Sequence, residues 1–174
     1  LIMDSSSVVE HAQQGIFGQG IVEAQNSILR DNYVSYNVTS IGKTGFNPGF
    51  FTNCTFESTQ PLRSDSTTPH KFIVVGPGVS GVLFENDTFR NTFSGFTGAQ
   101  RPISIQAFDA QNITLNNNIF TDVSRGVFSI NSLSTIESRF IITNNIFTDV
   151  TVPIRIEGGR FDLITDNEFH GFVI

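Results

Sequence analysis

The sequence predicts an all-β protein in which short parallel strands are wound into a stack of about seven coils. Three observations lead to this prediction. The string NNIFTDV occurs at 117–123 and again at 144–150, an interval of 27 residues. A looser form of the same pattern recurs along the whole chain. The segments between the copies are short, rich in β-branched residues and alternate by twos, as strands do.

Each copy of the repeat is built around one apolar anchor residue. The anchors are Val9, Leu29, Phe56, Phe89, Phe120, Phe147 and Phe169. Three residues before them stand Ser6, Asn26, Asn53, Asn86, Asn117, Asn144 and Asp166, and five residues before them stand Asp4, Ala24, Phe51, Phe84, Leu115, Ile142 and Ile164. A further apolar segment follows at 15–20, 71–76, 103–108, 126–131 and 153–158. The unit is therefore strand, Asn-bearing turn, short strand, connection and strand.

A repeat unit of this size cannot bury its apolar side alone, whereas stacked units can. In such a stack the anchor side chains form an internal column, with one strand spacing of about 4.8 Å between neighbours. The Asn column is expected at the bend between strands, because Asn tolerates the left-handed backbone conformation. Stacked Asn amides can also hydrogen-bond along the axis as a ladder.

The N-x-[IT]-F motif and its flanking strands give the chain its resemblance to a known family. Over nearly its whole length it resembles the right-handed parallel β-helix repeats of the pectate-lyase-like superfamily. In style it is similar to the β-helix repeat proteins that Bacteroidetes secrete or display on their surface. The resemblance implies a single-stranded, right-handed parallel β-helix of about seven coils, one domain spanning 1–174. It implies no particular chemistry, because that superfamily includes lyases, hydrolases, tailspikes, adhesins and non-catalytic scaffolds.

Composition narrows the classes of partner. The net charge of −6 and the pI near 4.9 argue against a nucleic-acid partner. No apolar run approaches the roughly 18 residues that a membrane span needs. The single cysteine, Cys54, allows no intrachain disulfide. Neither end of the sequence resembles a polar cap, so we expect a fragment of a longer chain whose flanking coils are its first partners.

Two loop insertions, 57–71 and 91–102, are the candidate positions for function, because function on a solenoid usually lies in loops inserted on one face. Loops on the same side of adjacent coils would bring basic residues together, with Lys or His as a base and Arg neutralising a uronate carboxylate. Ordinary polar loop residues are the preferred explanation. The residues concerned are Arg63, Asp65, His70, Lys71 and Arg101.

Carboxylates offer a second, weaker set of candidates. Asp122 and Asp149 occupy equivalent positions on successive copies and could hold a cation or share a proton, but a polar turn column explains them better. Asp65, Glu85 and Asp87 are the nearest approach to a calcium cluster and are too scattered for one. The sequence predicts no metal and no cofactor.

The function expected is a non-catalytic structural or adhesive segment of a secreted or cell-surface bacterial protein, with polysaccharide as the candidate ligand. The alternative is a polysaccharide lyase or glycoside hydrolase that acts on an acidic polysaccharide through the 57–71 and 91–102 loops. A third hypothesis is a trimeric, tailspike-like receptor binder, which would need an exposed apolar strip along one face. An ice-binding face is not favoured, because Thr114, Thr143 and Thr165 form one short file.

Overall fold

The fold was analysed in a computed structural model that describes residues 1–4, 6–18, 21–39, 49–61, 69–131, 139–158 and 162–171. Within these residues it contains 20 β-strands, numbered β1 to β20 in chain order, and one 3-10 turn at Gly98–Gln100. The strands form three parallel sheets, here called sheets A, B and C. The prediction of an all-β chain built from parallel strands is confirmed, and the arrangement is that of a parallel β-helix.

Successive strands of each sheet come from successive coils, with seven strands described in sheets A and B and six in sheet C. Sheet A contains β1 (Ile2–Met3), β4 (Val22–Gln25), β7 (Gly49–Thr52), β10 (Leu83–Glu85), β13 (Ile113–Asn116), β16 (Phe140–Thr143) and β19 (Leu163–Thr165). Sheet B contains β2 (Val8–Glu10), β5 (Ile28–Arg30), β8 (Thr55–Ser58), β11 (Thr88–Asn91), β14 (Ile119–Thr121), β17 (Ile146–Thr148) and β20 (Glu168–His170). Sheet C contains β3 (Gln14–Gly18), β6 (Val34–Val38), β9 (Lys71–Val75), β12 (Ile103–Phe108), β15 (Arg125–Ile130) and β18 (Val152–Glu157).

The turn from sheet A to sheet B depends on one residue in the left-handed conformation. In every coil this residue is the one predicted for the turn, three positions before the anchor. Its φ ranges from 49° at Asn26 to 81° at Ser6. Asn and Asp adopt this conformation at low cost, which explains why the sequence repeats them here. The first copy differs from the prediction, because Met3 and not Asp4 pairs with Ala24. The turn after β1 is one residue longer than its counterparts, so counting back from Val9 misplaces that position.

The anchor residues form the predicted column inside the stack. Strand register pairs each anchor with the next, from Val9 to Phe169. The rings stack nearly parallel, with centroid separations of 4.8 Å for Phe56–Phe89, 4.8 Å for Phe89–Phe120, 4.6 Å for Phe120–Phe147 and 5.2 Å for Phe147–Phe169. These spacings equal the distance between parallel strands, because in-register pairing places identical side chains directly above one another. A shorter stack beneath sheet A joins Phe51 and Phe84 at 5.2 Å.

Candidate functional site

Both predicted insertions leave the stack at the same edge, where the chain passes from sheet B to sheet C; this edge is called the B–C corner. The first loop follows Ser58 and the second follows Asn91, and these two residues are register partners. The loops end at another pair of partners, Lys71 and Ile103. The loops therefore begin and end one above the other on consecutive coils. Residues 62–68 of the first loop, which include Arg63 and Asp65, lie outside the described residues.

His70 lies beneath this corner and not on its surface. Its side chain is buried, with 1% of the residue exposed, and its Nδ1 atom lies 3.3 Å from the Ser58 hydroxyl. The Phe96 ring covers it edge-on at 5.6 Å. Burial lowers the pKa of His70, and the charge of Asp31 opposes this effect. The imidazole is therefore neutral near pH 7 in this conformation and is shielded by the second loop.

Arg101 fastens the second loop to the following coil. Its guanidinium lies 3.0 Å from the Asp122 carboxylate and donates a hydrogen bond to the backbone oxygen of Asp149 at 3.3 Å. Asp122 also accepts a hydrogen bond from the Asn91 amide at 2.7 Å. Asp122 and Asp149 both have positive φ, as the turn interpretation of their column requires. The Arg101 charge is therefore partly neutralised within the corner.

Lys71 begins β9, where its half-buried side chain stands one residue after His70. Its backbone N–H donates to the Tyr33 oxygen at 2.9 Å, so its position is fixed by the sheet. Of the five residues predicted to cluster, the structure brings His70 and Lys71 to the corner on one coil and Arg101 on the next, and the other two lie outside the described residues. The roles predicted for them in polysaccharide chemistry stay predictions.

Asp31 is a corner residue that the sequence did not predict as part of a site. It is buried, and its carboxylate accepts hydrogen bonds from the backbone N–H of Thr59 at 2.7 Å, the Thr59 hydroxyl at 2.7 Å and the backbone N–H of Gln60 at 3.3 Å. It therefore holds the start of the first loop against the preceding coil. Asp31 occupies the same repeat position as Asp122 and Asp149, and this shared position is the feature of the sequence that could have identified it as a corner residue.

The second loop presents aromatic and neutral polar groups. Asn91 closes its first turn by accepting a hydrogen bond from the Phe93 N–H at 3.2 Å and donating one to the Phe93 oxygen at 3.0 Å. The Phe93 and Phe96 rings pack edge-to-face at 4.9 Å and remain half-exposed. Thr97 and Gln100 follow, joined through their side chains at 3.3 Å. Aromatic faces beside hydroxyl and amide groups suit contact with neutral polar ligands such as sugar rings.

A file of alternating charges runs along the outer face of sheet B, across its strands and parallel to the B–C corner. Glu10, Arg30, Glu57 and Arg90 are successive register partners. Arg90 donates two hydrogen bonds to Glu57, at 3.0 and 2.7 Å, and Arg30 pairs with Glu10. The hydrogen bond from Arg30 lowers the pKa of Glu10. The positive charges of this face are thus largely compensated and offer little field to attract an anionic polymer.

Neither a metal centre nor a membrane span is found in the described residues. They contain no group of three or more His, Cys, Asp or Glu side chains placed to hold a metal ion. Of the calcium candidates, Asp87 lies inside the stack and Asp65 outside the described ranges. The described segments also include no helix with the length and apolar character that crossing a bilayer requires.

In comparisons with known proteins, no family model, no curated protein and no solved structure matched this chain. What the structure supports is the coarser statement, that three parallel sheets form a parallel β-helix.

Proposed function

We propose that this chain is a rigid, non-catalytic segment of a right-handed parallel β-helix that serves as a structural or adhesive module of a secreted or surface-attached bacterial protein. The observation that carries the proposal is that reactive side chains at the B–C corner are buried or paired. Two of the groups that could perform acid–base or anion-neutralising chemistry are held within the corner: His70 is buried under Phe96, and Arg101 is paired with Asp122. An acid–base catalyst must reach the proton that it moves, so the burial of His70 favours a structural role for its imidazole.

Adhesion is assigned to the exposed part of the second loop. Phe93 and Phe96 supply apolar ring faces and Thr97 and Gln100 supply neutral hydrogen-bonding groups, which together suit a carbohydrate ligand. Further coils of the parent protein are proposed as the other partners.

A panel of neutral and uronate-containing glycans tests this proposal. Each glycan is tested for binding and, in parallel, for unsaturated product or new reducing ends. We expect binding without turnover, and we expect Phe93→Ala to weaken it. Phe17→Ala is the matched control, because Phe17 is an exposed phenylalanine on β3, in the first coil. Turnover of any glycan would overturn the non-catalytic assignment.

The alternative enzyme, a polysaccharide lyase or glycoside hydrolase, is supported by the shared origin of the two loops at one corner. It predicts that Arg101→Ala abolishes turnover of an acidic polysaccharide, whereas Arg155→Ala, which removes an exposed arginine from β18, leaves turnover unchanged. Equal turnover in the two variants would exclude the corner as the active site.

A third candidate, an oligomeric receptor binder, is supported by an apolar file on the outer face of sheet A. Strand register places the residues of this file one above the other, and Glu23 and Thr114 are the polar residues that interrupt its apolar character. The apolar members are Ile2, Phe50, Leu83, Ile141 and Leu163. Sedimentation separates the readings: a trimer supports this candidate, and a monomer at all concentrations removes it.

A further inference from the structure

In the later coils, the residue that follows the left-handed turn between sheets A and B points into the stack and hydrogen-bonds along its axis. Asn118 is the clearest example. Its Oδ1 accepts from the backbone N–H of Asp87 in the preceding coil at 2.8 Å, and its Nδ2 donates to the Phe84 oxygen at 3.0 Å. Its own backbone N–H donates to Oδ1 of Asn145 in the next coil at 2.9 Å. One carboxamide therefore joins three coils.

The next two coils repeat this pattern. Asn145 donates through Nδ2 to the Leu115 oxygen at 3.1 Å, and Asn167 donates through Nδ2 to the Ile142 oxygen at 2.8 Å. Each acceptor is the sheet A residue of the preceding coil that is equivalent to Phe84. The donor nitrogen of the amide is thus a required part of the ladder.

Asp87 occupies the same position but has no such nitrogen. Its Oδ1 accepts from the backbone N–H of Cys54 at 2.7 Å, as the amide oxygens do. Its Oδ2 stands in the place of the amide nitrogen and has no hydrogen-bond partner within the described residues, although only 1% of the residue is exposed. The acceptor equivalent to Phe84 is the oxygen of Phe51, its register partner. An ionised carboxylate here would set oxygen against oxygen, whereas a protonated one can donate.

Among the residues that the structure describes, no positive charge contributes to the surroundings of Asp87. Glu85 faces it from its own coil and adds negative charge, the Cys54 thiol faces it from the preceding coil, and the neutral Asn118 amide faces it from the next. Burial raises the pKa of Asp87 to about 8; hydrogen bonds with the backbone of Cys54 and of Glu85 oppose the rise, and the charge of Glu85 adds to it. Desolvation without a compensating cation favours the neutral acid.

We propose that Asp87 is a protonated member of the ladder and acts as a pH-dependent latch between the two coils that carry the long loops. As an acid it donates from Oδ2 towards the sheet A backbone of the preceding coil and closes the ladder. When it ionises, that hydrogen bond is lost and a buried charge remains. The first loop follows β8 and the second follows β11, so this latch lies between the coils from which both loops leave.

The pH dependence follows from the sign of the shift. The folded protein holds the Asp87 proton more tightly than the unfolded chain does, whose carboxyl has its ordinary pKa of 3.8. The stabilisation is therefore complete below that value, decreases as pH rises, and is lost above the folded value of about 8. The latch is closed in acid and opens in mild alkali.

The experiment compares the wild type with Asp87→Asn, which restores the ladder nitrogen, and with the control Asp166→Asn, which makes the same change at an exposed turn residue. We expect the Asp87 carboxyl carbon signal to titrate near pH 8 in NMR spectra of the wild type. We also expect the melting temperature of Asp87→Asn to exceed that of the wild type by an amount that grows with pH, whereas Asp166→Asn stays parallel to the wild type.

A midpoint below pH 5 for the Asp87 signal would overturn the proposal, because an ordinary aspartate titrates at about pH 3.9. Parallel stability profiles of Asp87→Asn and the wild type would overturn it as well. If Asp87→Asn does not fold, the wild-type titration alone decides. Exchange of the Cys54 amide hydrogen gives a local readout: above pH 8 it should accelerate more than that of other core amides.

Discussion

Truncation of the central anchor ring, Phe120→Ala, should be among the most damaging single changes in this chain. The Phe120 ring is fully buried and lies between Phe89 at 4.8 Å and Phe147 at 4.6 Å. Removal of a buried phenylalanine costs about 3–5 kcal/mol through lost transfer free energy and the cavity that remains. Loss of two stacked ring contacts places the expected cost at the upper end, about 5 kcal/mol.

The matched control is Phe169→Ala, the same substitution at the last anchor. Phe169 is 41% exposed and stacks on Phe147 at 5.2 Å, so less apolar area returns to water and less cavity forms. We expect a cost of about 1–2 kcal/mol. The side chain removed is identical in the two variants. The difference between their free energies of unfolding therefore measures how much enclosure within the column stabilises the fold.

Urea unfolding followed by far-ultraviolet circular dichroism is the appropriate assay, because the chain has no Trp and only two Tyr. For a chain of this length, about 5 kcal/mol corresponds to a fall in melting temperature of about 10–20 °C. If Phe120→Ala is insoluble, Phe120→Leu provides a milder step of about 1–2 kcal/mol. A cost for Phe120→Ala no larger than that for Phe169→Ala would refute the enclosed column.

Three further predictions concern the ladder, the charge file and pH. Asn145→Ala leaves the Asn118 N–H without its acceptor and should lower the free energy of unfolding, measured in urea, by about 3 kcal/mol. The control Asn116→Ala, on the outer face of sheet A, should lower it by less than about 1 kcal/mol. Equal losses would contradict the ladder. Glu57→Gln keeps an acceptor oxygen but removes the negative charge that Arg30 and Arg90 share. The change should cost about 1–2 kcal/mol at low salt and less at 1 M salt, because screening already weakens the wild-type pairs. A cost that does not depend on salt would contradict the ionic origin. The free energy of unfolding of the wild type should fall between pH 4 and pH 8 by up to about 5 kcal/mol through Asp87, and Asp87→Asn should remove that slope.

The regular part of the fold could be predicted because each coil must solve the same two problems. One inward side chain must fill the stack, and Phe therefore recurs at the anchor position. One residue must adopt the left-handed backbone conformation, and Asn or Asp therefore recurs at the turn. Departures from the rule escaped prediction. Counting from Val9 misplaced the first sheet A residue, because the length of that turn is not encoded in the anchor. Strand β6 was not singled out, because Ser35 and Asn37 weaken its apolar character.

The site could be predicted less well, since its properties arise from contacts between coils. The sequence predicted two loop insertions, and strand register shows that both begin and end at one corner. It could not show that Phe96 buries His70 or that Asp122 of the following coil pairs with Arg101, because the loops do not follow the repeat. Asp87 was considered as a calcium ligand on the basis of nearby acids. Its ladder position was readable from the turn that precedes it, but its desolvation depends on the neighbouring coils.

The central claim is that successive repeats lie in register, one strand spacing apart, along a single axis. Paired spin labels on the outer face of sheet B test it, at Val8 with Ile119 and at Val8 with Glu168, all exposed positions of one register file. These pairs are separated by four and six strand spacings, so pulsed electron resonance should give backbone distances of about 19 and 29 Å. Equal distances for the two pairs, or a shorter distance for the second, would contradict a linear stack of coils.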